Sequence, residues 1–427
     1  MSEWQEVYLN EAFDIGSGLS KPAEDFGSGF PFLSFKEIFN NFFVPDELPE
    51  LVESSEEERD KCSVKKGDVF LTRTSETVKE LGMSCVALKD YKNATFNGFT
   101  KRLRPNGNFE IVPEYAGYYF RSSKFRNEVT ALSSASTRAS LNNEMLGRLK
   151  IVLPSKIEQE NIAAILICLD RKIENLRKQN ETLEAIAQTL FKHWFVDFEF
   201  PNEDGKPYKS SGGEMVRSEL GKIPAGWGVA PFETTFLIPL RNGLTKPRSV
   251  RGSGFYMVNM GELFGNKRIG DLEMDRVELS DSEYEKSLLE VGDILFARQS
   301  LVREGAGQCS IITEAPEPRT FEGHLIRCRI NRKKANPFYF FYHFWSFAGG
   351  FQMRSLVEQV AAAGIRGSEL AKLEMLIPSV DLQNKFFTII EPLEKSIALN
   401  FRRIRTLTKT RDVLLPKLMS GKLRITE

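Results

Sequence analysis

The sequence has 427 residues, enough for two or three domains of ordinary size, each with its own hydrophobic core. Its 58 lysines and arginines balance its 58 aspartates and glutamates, which excludes binding of nucleic acid through a strong overall positive charge, so an anionic partner would have to meet a local patch. The 33 phenylalanines predict large buried cores and exclude a disordered chain.

The N-terminal stretch MSEWQEVYLN has neither the basic nor the apolar region of a signal peptide. The longest clean apolar run, Ile162 to Leu169, is too short to span a bilayer. The cysteines are odd in number and form no CxxC pair, which is typical of free thiols in a reducing compartment. We therefore expect a cytoplasmic protein without a membrane partner. The cysteines are Cys62, Cys85, Cys168, Cys309 and Cys328.

One pattern occurs twice along the chain. GLSKPAEDFGSGF begins at Gly18 and GLTKPRSVRGSGF begins at Gly243, 225 residues later. Other landmarks hold nearly the same offset, and together they predict two copies of one module. These landmarks are Trp4 with Trp227, KKGDVFLTR with EVGDILFAR, TFNG with TFEG, LKIVLP with LEMLIP, and Gln159 with Gln383.

The first part of each copy predicts a compact mixed α/β domain, over residues 1–154 and 227–378. Short apolar runs there are separated by glycine, proline and asparagine. GDVFLT and GDILFA predict a turn that leads into a strand, while LKIVLP and LEMLIP predict a strand ended by proline. The aromatic segment FYFFYHFWSF, which follows Asn336 and Pro337, predicts a buried helix.

The second part of each copy, residues 155–198 and 379–427, predicts a long helix. Apolar residues recur at alternating steps of four and three from Ile162 to Trp194 and from Phe386 to Leu418, with charged residues between them. Roughly 33 residues at ~1.5 Å each give helices of about 50 Å. Pro392 falls in the first turns of the second helix, where a proline can kink a helix or delay its start.

A helix with one narrow apolar seam needs a partner, and the two copies of the helix would most simply pair with each other, antiparallel and with pseudo-twofold symmetry. Centring that pair places Asn180 beside Asn400, and a buried asparagine pair would fix the register. Two unrelated exposed asparagines remain the alternative. Between the copies, residues 199–226 are polar and rich in glycine, proline and serine, which predicts a linker.

The sequence offers no catalytic constellation. The three histidines have no metal-ligand spacing, and HEXXH and GxxxxGK[ST] are absent. NPFY (336–339) is similar to the NPPY motif of amino-methyltransferases but lacks the second proline, and its counterpart VPEY (112–115) keeps only the proline and the tyrosine. A proline that starts a helix, followed by a packing tyrosine, explains both segments.

The helical and linker segments resemble those of the specificity subunits of Type I restriction–modification systems. The resemblance rests on IVLPSKIEQENIAAIL, LDRKIENLRKQNETLEAIAQTLFKHWFVDFEFP, GKPYKSSGGEMV, GKIPAGW and the closing LLPKLMSGKLRI. It covers the whole chain and implies an α+β protein: target-recognition domain (1–154), long helix (155–198), linker (199–226), second target-recognition domain (227–378) and long helix (379–427). Two departures are Leu382, in place of a glutamate, and Arg411, which interrupts the seam.

The resemblance implies a non-catalytic subunit that reads a split, asymmetric sequence in double-stranded DNA. Each domain would read one half, and the helices would set the gap. Two methyltransferase subunits carrying S-adenosylmethionine would dock on the helices and modify adenine. Restriction subunits would add ATP-driven translocation and Mg²⁺-dependent cleavage, so no cofactor or metal is expected on this chain.

Donor side chains in predicted loops are the candidates for DNA contacts, since arginine and glutamine suit base edges and lysine suits phosphates. For each of them an ordinary surface charge or an intradomain bond is the alternative, and Arg73 and Arg298 could equally be strand residues that pair internally. The candidates are Lys21, Arg73, Thr74, Arg138, Lys246, Arg248, Arg251, Arg298, Gln299, Ser300 and Arg366.

Two other classes of protein compete with this interpretation. A fused restriction–modification enzyme would need a further few hundred residues with a cofactor-binding glycine motif and an intact catalytic motif, both missing here. A purely structural coiled-coil dimeriser with globular heads would not explain why the two heads diverge around a shared scaffold.

Overall fold

The structure is a computed structural model that describes residues 4–74, 80–133, 140–359 and 363–425. The chain divides into two compact units, and each unit contains one mixed α/β domain and a part of each long helix. Unit 1 is Met1–Asn175 with Ile404–Glu427, and unit 2 is Leu176–Arg403.

The domain of unit 1 is built from short strands and helices, and the first long helix, α7, starts at its end. The strands are β1 (Gln5–Tyr8), β2 (Phe13–Ser17), β3 (Phe26–Leu33), β4 (Glu50–Val52), β5 (Val69–Thr72), β6 (Ser84–Val86), β7 (Thr95–Phe96), β8 (Thr100–Pro105) and β9 (Lys150–Leu153). The helices are α1 (Leu9–Ala12), α2 (Phe35–Asn40), α3 (Glu56–Lys61), α4 (Pro113–Tyr119), α5 (Ser123–Ser133), α6 (Asn143–Gly147) and α7 (Lys156–Phe191).

Unit 2 has the same kind of domain, preceded by a hairpin. The strands are β10 (Met215–Ser218), β11 (Gly221–Pro224), β12 (Gly228–Pro231), β13 (Phe236–Asn242), β14 (Arg251–Val258), β15 (Arg268–Ile269), β16 (Arg276–Val277), β17 (Ile294–Ala297), β18 (Gln299–Ser300), β19 (Cys309–Ile312), β20 (Arg319–Phe321), β21 (Leu325–Ile330), β22 (Glu358–Gln359), β23 (Ala363–Gly364) and β24 (Glu374–Ile377). The helices are α8 (Met260–Gly265), α9 (Asp281–Ser287), α10 (Pro337–Trp345), α11 (Phe347–Ser355), α12 (Gly367–Ala371) and α13 (Val380–Met419).

The sheets of the two domains share one topology. The sheet of order β2-β8-β5-β6 corresponds to β13-β21-β17-β19, which β15 extends. The sheet β4-β3-β7 corresponds to β16-β14-β20, and the antiparallel pair β1-β9 corresponds to β12-β24. The repeat inferred from the sequence is therefore a repeat of fold.

The predicted turns before β5 and β17 are confirmed. Gly67 and Gly292 adopt φ of +88° and +97°, a region that favours glycine. The aspartate that follows each glycine is buried and accepts a bond from the backbone of its own turn. The Asp68 carboxylate also pairs with Arg104 at 2.6 Å, and its counterpart in domain 2 pairs with Arg329 at 2.8 Å.

The strands predicted from LKIVLP and LEMLIP, β9 and β24, each lead directly into a long helix, and a glutamine locks the junction. The Gln159 side chain donates to the carbonyl of Pro154 at 3.0 Å and accepts from the amide of Val112 at 2.9 Å. Gln383 makes the equivalent bonds to Pro378 and Asn336. Each bond set ties the strand end to the residue just before α4 or α10.

The segment after Asn336 forms the buried helix α10, as predicted, with Pro337 in its first turn. The hydroxyl of Tyr339 donates to the carbonyl of Leu376 at 2.6 Å. In domain 1 the hydroxyl of Tyr115, on α4, donates to Val152 at 2.8 Å. Proline and tyrosine thus start and anchor a packing helix in both copies.

Both long helices form, and α13 begins at Val380 without a delay at Pro392. The helix continues through the proline because its flanking turns bury Ile390 and Ile397. In unit 1, Arg411 lies at the seam and donates to the Asp170 carboxylate at 2.8 Å, so a salt bridge replaces an apolar contact there.

The two seam asparagines lie side by side within unit 2. Both side chains are buried, and Nδ2 of Asn400 donates to Oδ1 of Asn180 at 2.9 Å. Glu184 and Glu394 are also brought together, because both bind Arg268. Residue numbers that rise on one helix fall on the other, so the helices run antiparallel in this unit.

We expect Asn180→Leu to destabilise the protein more than the double change Asn180→Leu/Asn400→Leu. The single change leaves the buried amide of Asn400 without its partner, which costs about 1–3 kcal/mol, whereas two leucines suit an apolar seam. Thermal and urea unfolding of the full chain measure the difference. A double variant less stable than both single variants would contradict this account.

Candidate nucleic-acid interface

Three separate segments of domain 1 meet where β5 ends. The amide of Arg73 donates to the carbonyl of Phe99 at 2.9 Å, which extends the β5–β8 ladder beyond the strands. On its other side, the Arg73 carbonyl accepts from Leu141 at 2.8 Å, and Thr74 pairs with Ser140. We call residues 73–74, 97–99 and 140–141 edge 1.

Domain 2 repeats this arrangement at the end of β17. The Arg298 amide donates to the carbonyl of His324 at 2.7 Å, and the Arg298 carbonyl accepts from Ile365 at 2.9 Å. Gln299 and Ser300 then pair with β23. We call residues 298–300, 322–324 and 363–365 edge 2. The two edges contain five of the eleven candidates named from sequence: Arg73, Thr74, Arg298, Gln299 and Ser300.

The repeated GL(S/T)KP segment holds the middle loop of each edge. In domain 1 the Leu19 amide donates to Phe96 and its carbonyl accepts from Gly98, both at 2.8 Å. In domain 2, Leu244 makes the same two bonds to Phe321 and Gly323, both at 2.9 Å. The pattern that occurs twice in the sequence is therefore a clamp on the loop TF(N/E)G.

Glycine is required at the start of this clamp because the backbones approach closely. A Cβ on Gly18 would overlap the carbonyl oxygen of Asn97, and one on Gly243 would overlap that of Phe321. Neither contact involves a flexible side chain that could move away.

The two candidate lysines lie close to these clamps but form intradomain ion pairs. The ammonium of Lys21 lies 3.0 Å from Glu58, and that of Lys246 lies 2.9 Å from Glu283. Each glutamate also closes the capping box of a helix, α3 or α9. The backbone bond from Ser280, together with Lys246, lowers the pKa of Glu283 to about 2. Both lysines thus hold a helix against the clamp, and a contact of either with phosphate stays a prediction.

Arg251 is engaged within its own domain as well. Its guanidinium donates to Asp275 at 2.7 Å and to Asn259 at 3.0 Å, and it also reaches the carbonyl of Lys246. Only the backbone of Arg248 is described, and it lies in a 3₁₀ turn from Arg248 to Val250. Arg138 lies outside the described residues.

The arginines of the two edges differ from the structural arginines of the same domains. Nε of Arg73 is buried and has no hydrogen-bond partner in the described part of the chain, which is also true of Nε of Arg102 and Arg327. Among the described residues, the Arg298 side chain has one long bond, 3.5 Å from Nη1 to the Gly323 carbonyl. In contrast, Arg104 and Arg329 each make several bonds, including a buried carboxylate. Within the described residues, the edge arginines thus make fewer side-chain bonds than Arg104 and Arg329.

The remaining candidates differ in exposure. Gln299 is exposed, Thr74 and Ser300 are half-buried, and Arg366 is exposed with Glu369 at 4.0 Å. Sequence reasoning missed two exposed side chains, Phe99 in domain 1 and His324 at the corresponding position of domain 2. Phe99 is 60% exposed and His324 is 59% exposed. The signal that could have found them is their common position, directly after TFNG and TFEG.

The long helices keep charged faces along their length. Within the described ranges, no helix combines the length and the apolar character that crossing a bilayer requires.

Comparison with known proteins shows which proteins the chain resembles. Residues 1–185 match the family model described as Type I restriction modification DNA specificity domain. The whole chain is 27% identical over 443 residues to the MjaIX specificity subunit of Methanocaldococcus jannaschii, covering 94% of that protein. Residues 1–185 thus carry a Type I DNA specificity domain, and the chain is similar over its whole length to a Type I specificity subunit.

Two further proteins are similar to this chain. The HindI specificity subunit of Haemophilus influenzae is 30% identical over 242 residues, which cover 56% of this chain and 50% of that protein. The crystal structure of a Type I S subunit from M. genitalium matches with a TM-score of 0.56 at 14% identity, over 97% of this chain and 96% of that one. The structural match supports the predicted fold: two mixed α/β domains with long helices.

Type I specificity subunits recognise DNA sequence and are not catalytic. The specificity domain and the similarity to these subunits therefore favour DNA recognition over both alternatives, the fused enzyme and the structural dimeriser. In both domains the edge brings an arginine next to an exposed ring, Arg73 next to Phe99 and Arg298 next to His324.

Edge arginines and structural arginines should respond differently to substitution. We expect Arg73→Gln to change the free energy of unfolding by no more than about 0.5 kcal/mol, because no bond of its Nε is lost. Arg104→Gln should cost about 3–5 kcal/mol, because Asp68 is left buried without its partner.

Chemical denaturation of the two variants measures these costs, and Arg298→Gln with Arg329→Gln forms the matched pair in domain 2. Equal losses from Arg73→Gln and Arg104→Gln would show that Arg73 is a structural residue.

Proposed function

We propose that this chain reads a split, asymmetric DNA sequence, with edge 1 on one half and edge 2 on the other. The observation that carries the proposal is that the two edges share a backbone arrangement but differ in side chains. Thr74 corresponds to Gln299, and Phe99 corresponds to His324. Identical edges would suit a palindrome, whereas diverged edges suit two different half-sites.

The arginine at each edge is the side chain that the two halves have in common. A guanidinium can donate two parallel bonds to O6 and N7 of guanine in the major groove. Arg73 and Arg298 follow the end of a buried strand, so their backbones are fixed before DNA arrives. Gln299 adds an amide of the kind that pairs with adenine.

The helices would set the unspecified gap and dock the partners. Two methyltransferase subunits would carry S-adenosylmethionine, and restriction subunits would bring ATP and Mg²⁺, all in the cytoplasm. Apolar side chains left exposed on α7 and α13 support a docking role, because exposed apolar groups are typical of protein interfaces. These side chains are Ile157, Ile165, Ile186, Ile389, Leu399, Phe401 and Val413.

Methylation sequencing of the host genome, with and without the gene for this chain, tests the proposed function. We expect a split, asymmetric motif that carries methyladenine and disappears on deletion. Re-expression of the wild-type chain should restore the motif. A motif unaffected by deletion would contradict the proposal.

Substituting one edge arginine should relax base specificity in one half-site and leave the other half-site unchanged. Each good bidentate contact gives about 1–3 kcal/mol of discrimination, so Arg73→Ala should lower discrimination at one position of one half by about fivefold to 150-fold. Arg298→Ala should do the same in the other half only.

Lys89→Ala is the matched control, because Lys89 pairs with Asp46 at the opposite end of β5 from edge 1. Binding of the assembled complex to single-base variants of the site gives the readout. Loss in both halves from one substitution would contradict the assignment of one edge to each half.

A further inference from the structure

Phe99 is held outward by a tight turn. Its amide donates to Oδ1 of Asn97 at 2.7 Å, and Thr100 closes the turn through two bonds to the Asn97 carbonyl, at 3.1 Å from its amide and 2.6 Å from its hydroxyl. The carbonyl of Phe99 accepts from Arg73. The ring is nevertheless 60% exposed, so the structure fixes the backbone and leaves the aromatic side chain in solvent.

His324 occupies the same position in domain 2. Its carbonyl accepts from Arg298 at 2.7 Å, and Leu325 closes the turn on Glu322 at 3.0 Å, as Thr100 does on Asn97. The imidazole is 59% exposed, with Nδ1 3.8 Å from the Glu322 carboxylate. In each domain this backbone position directly follows the loop that the repeated segment holds. It presents a phenylalanine ring next to Arg73 in domain 1 and a histidine ring next to Arg298 in domain 2.

We propose that this position determines specificity: Phe99 contacts the C5-methyl of a thymine in one half-site, and His324 bonds to N7 of a purine in the other. The proposal rests on the proposed function and names one base at each edge. An exposed phenylalanine gains little from folding, but it buries apolar surface when it meets a methyl group. The thymine methyl is the apolar group that a base edge presents in the major groove.

The imidazole suits a different base. A neutral histidine has one donor nitrogen, and purine N7 is an acceptor present in both adenine and guanine. Since Arg298 is the neighbouring residue in the ladder, the two side chains can address adjacent positions of one half-site. The divergence of the pair Phe99 and His324 then accounts for part of the asymmetry between the two halves.

Base analogues test the two contacts in the assembled complex of the full chain with its methyltransferase subunits. Replacing each thymine of the half-site in turn by uracil removes only a methyl group. We expect one such position to weaken binding by about fourfold, the factor for burying one methyl group. The complex with Phe99→Ala should bind the thymine and uracil duplexes equally, while its discrimination in the other half is unchanged.

For His324, 7-deazapurines remove N7 alone. A base bound by Arg298 or Gln299 also loses its N7 acceptor, so we expect more than one sensitive position in that half. His324→Ala should abolish the loss of about fivefold at one of these positions and leave the others unchanged. Both side chains are exposed, so the thermal midpoints of the variants should match the wild type, which verifies that they fold.

The outcomes separate the two levels of the proposal. A wild-type complex that binds its split site no better than a scrambled duplex would overturn the proposed function itself. A sequence-specific complex in which Phe99→Ala keeps the uracil effect, or whose half-site contains no sensitive thymine, would overturn the Phe99 assignment alone. Retention of every 7-deaza effect in His324→Ala would overturn the His324 assignment in the same way.

Discussion

The close approach of two backbone segments organises each recognition domain. Gly18 and Gly243 let the repeated segment lie against the loop TF(N/E)G, because any side chain there would overlap a carbonyl oxygen. The loop in turn pairs with the residue that follows the central strand, Arg73 or Arg298. Backbone contacts therefore connect the glycine to the loop and the loop to the arginine. Side chains at the edge can therefore change between the copies without loss of the scaffold.

The two units differ electrostatically beneath this shared scaffold. In unit 1, the hydroxyl of Tyr118 donates to Asp170. The carboxylate of Asp170 also pairs with Arg411, which lies on the second long helix. In unit 2, the hydroxyl of Tyr342 donates to Glu394. The carboxylate of Glu394 also pairs with the buried Arg268, which lies on strand β15 of the domain itself. Burial is the main cause that raises the pKa of both tyrosines, so both hydroxyls remain donors at neutral pH. The same tyrosine–carboxylate pair thus links helix to helix in one unit and domain to helix in the other.

Features encoded by local pattern were predictable from the sequence, and features that depend on packing were not. Turns with glycine and buried strands leave short signatures, so β5, β17, β9 and β24 were predicted correctly. The periodicity of the two seams predicted that Asn180 lies beside Asn400, because the register of an antiparallel helix pair follows from the residue spacing along each seam. The internal ion pairs of Lys21 and Lys246 were not predicted, since their partners lie 37 residues further along the chain. Nor could sequence show that Phe99 is exposed, because exposure depends on which segment happens to cover a loop.

The charge balance of the chain fits a subunit that contributes more to discrimination between bases than to overall affinity for DNA. Nonspecific affinity for DNA grows with the number of phosphates that cations neutralise. This chain has no net charge, and Lys21, Lys246 and Arg251 already bind carboxylates of their own domain. Breaking those pairs to reach phosphates would leave the carboxylates close to the DNA, where they repel it. Under the proposed function, phosphate binding falls largely to the partner subunits, and the side chains of the two edges make the contacts that distinguish one base from another.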